Sequence, residues 1–277
     1  MNNSVNLAVV IPIYRSFLDH FEELSINSII RNFNDFEIIF VAPKDLNLEN
    51  YQTYFSQFKK FQIIYFDENC FKSIDAYNKL LLDYKFYEAF STYQYILICP
   101  LDVYVFKNDL LDWVNKDLDY VGAPWTGSKR NFINLTFERI NKITRKLKGK
   151  RPQNTERLFR VGNGGFSLRK VDKFIQISKE KETQIKEYLM NKPDSDFHIE
   201  DVFWSLCVPK YYPDFKIPDW KEALGFCMDR KPKLSLKFND NQLPMAVIVL
   251  INQSFINFGK NIFKVSFPTL PLQTNLF

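Results

Sequence analysis

The chain has 277 residues, 46% of them hydrophobic, which is enough for one large α/β domain with a packed core. Its formal charge of +5, from 37 basic and 32 acidic residues, is too weak for a dedicated nucleic-acid binder and fits a protein that meets phosphates or an anionic surface. Four scattered cysteines without metal-ligand spacing read as free thiols, and no apolar run reaches the ~20 residues of a membrane span.

Leu7–Ile13 is a continuous apolar run and predicts a buried strand. The spacing of Phe17, Phe21, Leu24, Ile29, Ile30 and Phe33 predicts a helix. A strand over Phe36–Val41, a helix over Leu48–Phe58 and a strand over Phe61–Phe66 follow. A long helix is expected over Ile74–Phe90, then a strand over Tyr93–Cys99. This alternation argues for an open, largely parallel sheet with covered faces, whose ligands bind outside the carboxyl ends of the strands. Asp102 falls at such an end. Met1–Ser4 lacks a basic leader, so a cytoplasmic protein is expected.

From Thr126 to Arg160 the chain turns basic, with Phe137, Ile140, Ile143 and Leu147 interleaved at helical spacing. This is read as a helical insertion over 126–160. Its stretch 129–151 is expected either to be a solvated helix or to make a peripheral contact with an anionic membrane.

Three segments carry the candidate chemistry. Asp102 follows the apolar run Tyr95–Ile98, and a strand-end carboxylate suits a hard cation such as Mn²⁺ or Mg²⁺ held against a diphosphate. Val161-Gly-Asn-Gly-Gly165 permits close backbone approach at Gly164 and Gly165, with Asn163 placed to bond hydroxyls. Glu200 and Asp201 form an acidic pair at the head of an amphipathic segment. Asp201 is the expected proton acceptor, with Glu200 as its alternate and His198 as a polar neighbour. Trp125, stiffened by Pro124, is a candidate sugar platform.

Together with Val9-Val-Ile-Pro-Ile-Tyr-Arg15, Ser73-Ile-Asp-Ala-Tyr-Asn78 and Gly122-Ala-Pro-Trp125, these segments resemble a family of uncharacterised bacterial and fungal domains related to type-A (GT-A) nucleotide-sugar glycosyltransferases. The resemblance covers roughly residues 5–244. It implies a GT-A-like open mixed sheet flanked by helices, with a Rossmann-like N-terminal half. It further implies that Pro12, Tyr14 and Arg15 lie near the nucleotide, Lys72 lies near its phosphates, and Asp102 stands for the Asp-X-Asp metal motif. Here that motif reads Asp102-Val-Tyr104, without the second acid.

The expected activity is transfer of a sugar from a nucleoside-diphosphate donor to a hydroxyl of a glycan or lipid-linked acceptor. The alternative is a non-catalytic glycan-binding module, or an inactive variant, on the same scaffold. The family pattern stops at Pro244. One back-translation of residues 245–263, read two bases later, restores a Gly-Cys-His triplet whose His the resemblance implies as a metal ligand. Residues 245–277 are therefore expected to be an out-of-frame tail, with Val247–Ile251 exposed.

Overall fold

The computed structural model describes residues 5–127, 156–190, 199–229 and 231–248. Most of the basic segment, His198 and the tail from 249 onward lie outside these. So do the expectations of a helix or membrane contact over 129–151 and of an exposed Val249–Ile251.

Six strands form the main sheet: β1 (Leu7–Pro12), β2 (Glu37–Pro43), β3 (Phe61–Phe66), β4 (Tyr95–Ile98), β6 (Tyr120–Pro124) and β7 (Val161–Lys170). Their order is β3-β2-β1-β4-β7-β6. The first four run parallel, and β7 is antiparallel to both β4 and β6. A second sheet has the order β5-β9-β8, from β5 (Val103–Val105), β9 (Ala246–Ile248) and β8 (Cys227–Met228). The fold is thus the expected α/β open mixed sheet flanked by helices.

The unbroken apolar run of β1 has a direct cause. Val9 and Ile11 face one core layer, with Ile26, Ile29, Phe33 and Phe40. Val10 faces the other, with Ile39, Val41, Phe86, Tyr87 and Trp204. A strand covered on both faces must be apolar at every position, and each such fully buried side chain stabilises the fold by roughly 1.5–3 kcal/mol.

Chain connections place the site. β1 leads outward to β2 on one side, while β4 joins it on the other. Their carboxyl ends therefore flank a crevice at the point where the strand order reverses. The loop after β1 is fixed by the next helix, His20–Phe33, which Asp19 caps. Asp19 Oδ1 accepts from the backbone N–H groups of Phe21 (2.9 Å) and Glu22 (3.0 Å), and Glu22 Oε2 accepts from Asp19 N at 2.9 Å. This is a complete capping box. Ser25 Oγ of that helix donates to Val103 O at 2.5 Å, holding the start of β5, and hence Asp102, against it.

Three expectations are corrected. The long helix over Ile74–Phe90 is two short ones: Ile74–Leu80 ends at its C-cap Leu81, and Asp83 starts Tyr84–Glu88 afresh by capping it through Lys85 N. The helix over Leu48–Phe58 reduces to a 3₁₀ turn at Glu49–Tyr51 and one turn at Gln52–Phe55. Val247 and Ile248 are not exposed. Each is only 4% accessible, because β9 sits between β5 and β8.

Candidate active site

A cavity of about 1040 Å³ opens at the carboxyl ends of β1 and β4. Pro12, Tyr14, Arg15, Lys72, Asp102, Asn163, Gly164, Gly165, Glu200 and Asp201 all line it. Ten sequence-predicted residues from five separate segments therefore share one space. Trp125 does not line it. Its ring packs behind β7 against Gly162, where an added Cβ would lie 2.1 Å from the Trp125 ring, and Arg157 stands 5.8 Å from the ring centroid on another side. Its proposed part as a sugar platform is therefore corrected: it is a buried wedge under the glycine strand.

Asp102 is accessible from the cavity but enclosed by protein on its other sides. That enclosure raises its pKa to about 6, with further contributions from the carboxylates of Asp229 and Glu22. Asp229, missed in the sequence, is buried just beyond β8. The sheet register brings it to Asp102: Val103 lies opposite Ile248, and Met228 lies opposite the preceding Val247. The two acids thus end the two outer strands, one on each side of β9, at the same end of the three-stranded sheet. A carboxylate after an apolar strand was the signal available, but two residues of strand are too short to read.

Asn163 is a strut and not a free hydroxyl binder. Its Nδ2 donates to Asp229 Oδ2 at 2.8 Å, and its Oδ1 accepts from Gly165 N at 3.0 Å. Lys72 Nζ is bonded to Glu68 Oε1 at 2.6 Å and Asn69 Oδ1 at 2.9 Å. Arg15 pairs with Glu22 and, at 3.4 Å, with Asp19; the Glu22 bond pushes its pKa further up.

Glu200 and Asp201 differ sharply. Glu200 is buried and bonded to the equally buried Arg169, Nη1 to Oε1 at 2.7 Å. Burial pushes its carboxyl up, and Arg169 opposes that. Asp201 forms no such ion pair: its Oδ1 is buried without a hydrogen bond, and among the described residues only the Val202 backbone and the charges of Arg157 and Arg169 favour its ionised form. Burial first, then the Glu200 charge, raises its pKa to about 7. Glu200, the expected alternate proton acceptor, is thus engaged in an ion pair. Arg169 escaped the sequence reading because a lone basic residue in a strand looks like a solvated one.

Among the lining residues, five carboxylates (Asp19, Glu22, Asp102, Glu200, Asp201) face two cations, Arg15 and Lys72. Such a wall repels a diphosphate unless a cation accompanies it. Among the described residues no cluster of three or more His, Cys, Asp or Glu is arranged to hold a metal. Asp102 still offers hard carboxylate oxygens to the cavity, with Asp229, outside the lining, acting on it by its charge, and Mg²⁺-like ions commonly use one or two carboxylates plus substrate phosphates. The donor set fits such an ion.

This sheet and cavity define a glycosyltransferase-like fold of the GT-A class. The chain belongs to the family described as "Protein of unknown function (DUF5672)", whose model matches residues 60–247. Mouse xyloside xylosyltransferase 1, in its apo form, superposes with a TM-score of 0.53 at 10% identity, covering 88% of this chain and 98% of that one. The apo bifunctional glycosyltransferase WbbM gives 0.51 at 15% identity, covering 89% of this chain and 46% of its own. At such identities the likeness is one of fold. No curated protein sequence matches the chain.

Proposed function

We propose that the protein transfers a sugar from a nucleoside-diphosphate donor to a hydroxyl of a glycan or lipid-linked acceptor. The observation that carries this reading is the convergence of Asp102, the Asn163–Gly165 strand and Asp201 on one cavity at the sheet's switch point. Pro12, Tyr14 and Arg15 would border the nucleotide, and Lys72 its phosphates. Asp102, with the Asp229 charge acting on it, would hold Mn²⁺ or Mg²⁺, which when bound supplies charge neutralisation to the leaving diphosphate. Asp201 would receive the acceptor's proton, since a carboxyl tuned near neutrality suits general-base work.

A glycan-binding module without catalysis is the second reading, favoured by the pairing of Arg15 and Lys72 with neighbouring acids. Hydrolysis of a nucleotide-sugar panel with and without Mn²⁺ separates the two. A transferase shows slow metal-dependent hydrolysis of its donor, and a binding module shows none.

A further inference from the structure

Arg169 is wholly buried in β7, a position that a strand gives to an apolar side chain unless the charge has partners. Its partners come from three elements. Nη1 donates to Glu200 Oε1 at 2.7 Å and to Tyr87 Oη at 2.6 Å, Nη2 to Gly164 O at 3.3 Å, and Nε to Ser167 Oγ at 2.9 Å. Tyr87 passes the anchor on, donating to Leu81 O at 2.7 Å. The guanidinium therefore pins the turn that begins at Glu200 to the glycine strand. Gly164 is what lets the two approach: a Cβ there would stand 2.8 Å from Glu200 Oε2 and 3.0 Å from Arg169 Nη2.

Asp201 follows Glu200 directly and lines the cavity, with Oδ1 buried and unbonded. Ser205 Oγ holds its backbone carbonyl at 2.6 Å. A buried carboxylate oxygen left without a donor needs a surrounding that fixes it there.

We propose that Arg169 and Glu200 are positioning residues that hold the Asp201 carboxyl at the cavity wall with its inner oxygen, Oδ1, unpaired, so that Asp201 and not Glu200 takes the acceptor's proton. This rests on the transferase reading. In the step, the acceptor hydroxyl gives its proton to Asp201 while its oxygen bonds the sugar's anomeric carbon. The anomeric bond to the diphosphate breaks, and its electron pair leaves on the diphosphate oxygen. Among the described residues, the charged and titratable groups that act on Asp201 are Glu200, Arg169 of β7, Arg157 ahead of β7, Tyr120 of β6 and Tyr188 of the helix Glu182–Met190.

The test is a ¹³C-carboxyl NMR titration of aspartate-labelled protein, with Asp201 assigned by its loss in Asp201→Asn. Glu200→Gln removes a repelling charge and leaves Arg169 in place, so the Asp201 midpoint should fall by about one pH unit or more. The double variant Arg169→Met with Glu200→Gln avoids an unpaired buried cation, and its midpoint should fall by less. An Asp201 midpoint equal to the wild type's in these variants overturns the proposal; if the single variant does not fold, the double decides. The acid limb of kcat/KM for transfer should move with the NMR midpoint, and a limb that stays while the midpoint moves also overturns it. Failure of the transferase reading looks different: the NMR coupling persists, but no nucleotide sugar is hydrolysed.

Discussion

The Asn163 side chain donates to Asp229 Oδ2 at 2.8 Å, joining the glycine strand to the carboxylate whose charge acts most on Asp102. Asn163→Ala removes a donor from a buried acid. A loss of about 1–3 kcal/mol in folding free energy is expected, together with weaker Mn²⁺ binding, read by the free-ion electron paramagnetic resonance signal. Unchanged Mn²⁺ binding would remove Asp229 from the cation site.

Arg169→Met leaves Glu200 charged in an apolar interior. Breaking one side of a buried pair costs about 3–5 kcal/mol, to be measured by urea denaturation. A loss below about 1 kcal/mol would mean that Glu200 takes up a proton or reaches water.

Gly162→Ala drives a methyl into the Trp125 ring, 2.1 Å from its nearest atom. Overpacking of this kind costs about 1–3 kcal/mol. Gly225→Ala is the control: its nearest contact, Trp113, is 3.7 Å away and it lies in the helix Trp220–Phe226. There alanine should gain up to about 1 kcal/mol. Similar losses in both variants would contradict the assigned packing of Trp125.

The raised carboxyls set a pH dependence. Asp102 titrates at about 6 and Asp201 at about 7 in the folded protein, against about 3.9 when unfolded. Between these values the folded state binds more protons, so stability falls as pH rises from about 4 to 7. Asp201→Asn removes its share of that slope. Its melting temperature should exceed the wild type's at pH 8 and not at pH 4. Parallel melting profiles from pH 4 to 8 would contradict the shifted carboxyl.

The strands were legible where both faces are covered, since β1, β4 and all of β2 after Glu37 are apolar. The helix over Ile74–Phe90 misled because Tyr77, Leu80, Leu81, Tyr84 and Tyr87 keep helical spacing across a break after which one capping acid, Asp83, starts a new helix. Asp102 and Asp201 could be found because each adjoins an apolar segment. Asp229 and Arg169 could not, since each owes its place to pairing across the fold: β8 with β9, and β7 with the Glu200 turn. Trp125 was misplaced for a related reason. Rigidity after Pro124 is local, whereas the face a ring presents is set by the strand it packs on, here Gly162 of β7.

The central claim is a diphosphate site that depends on a cation at Asp102. The direct measurement is the thermal shift given by UDP, GDP, CDP, ADP and dTDP, each with and without Mn²⁺, on the wild type and on Asp102→Asn. A ligand at 100 times its Kd stabilises by about 2.7 kcal/mol, which for a chain of this size is a shift of about 5 °C. At least one diphosphate should give that shift in the wild type only with Mn²⁺, and none should in Asp102→Asn. A shift that needs no metal, or that survives in Asp102→Asn, would contradict the account.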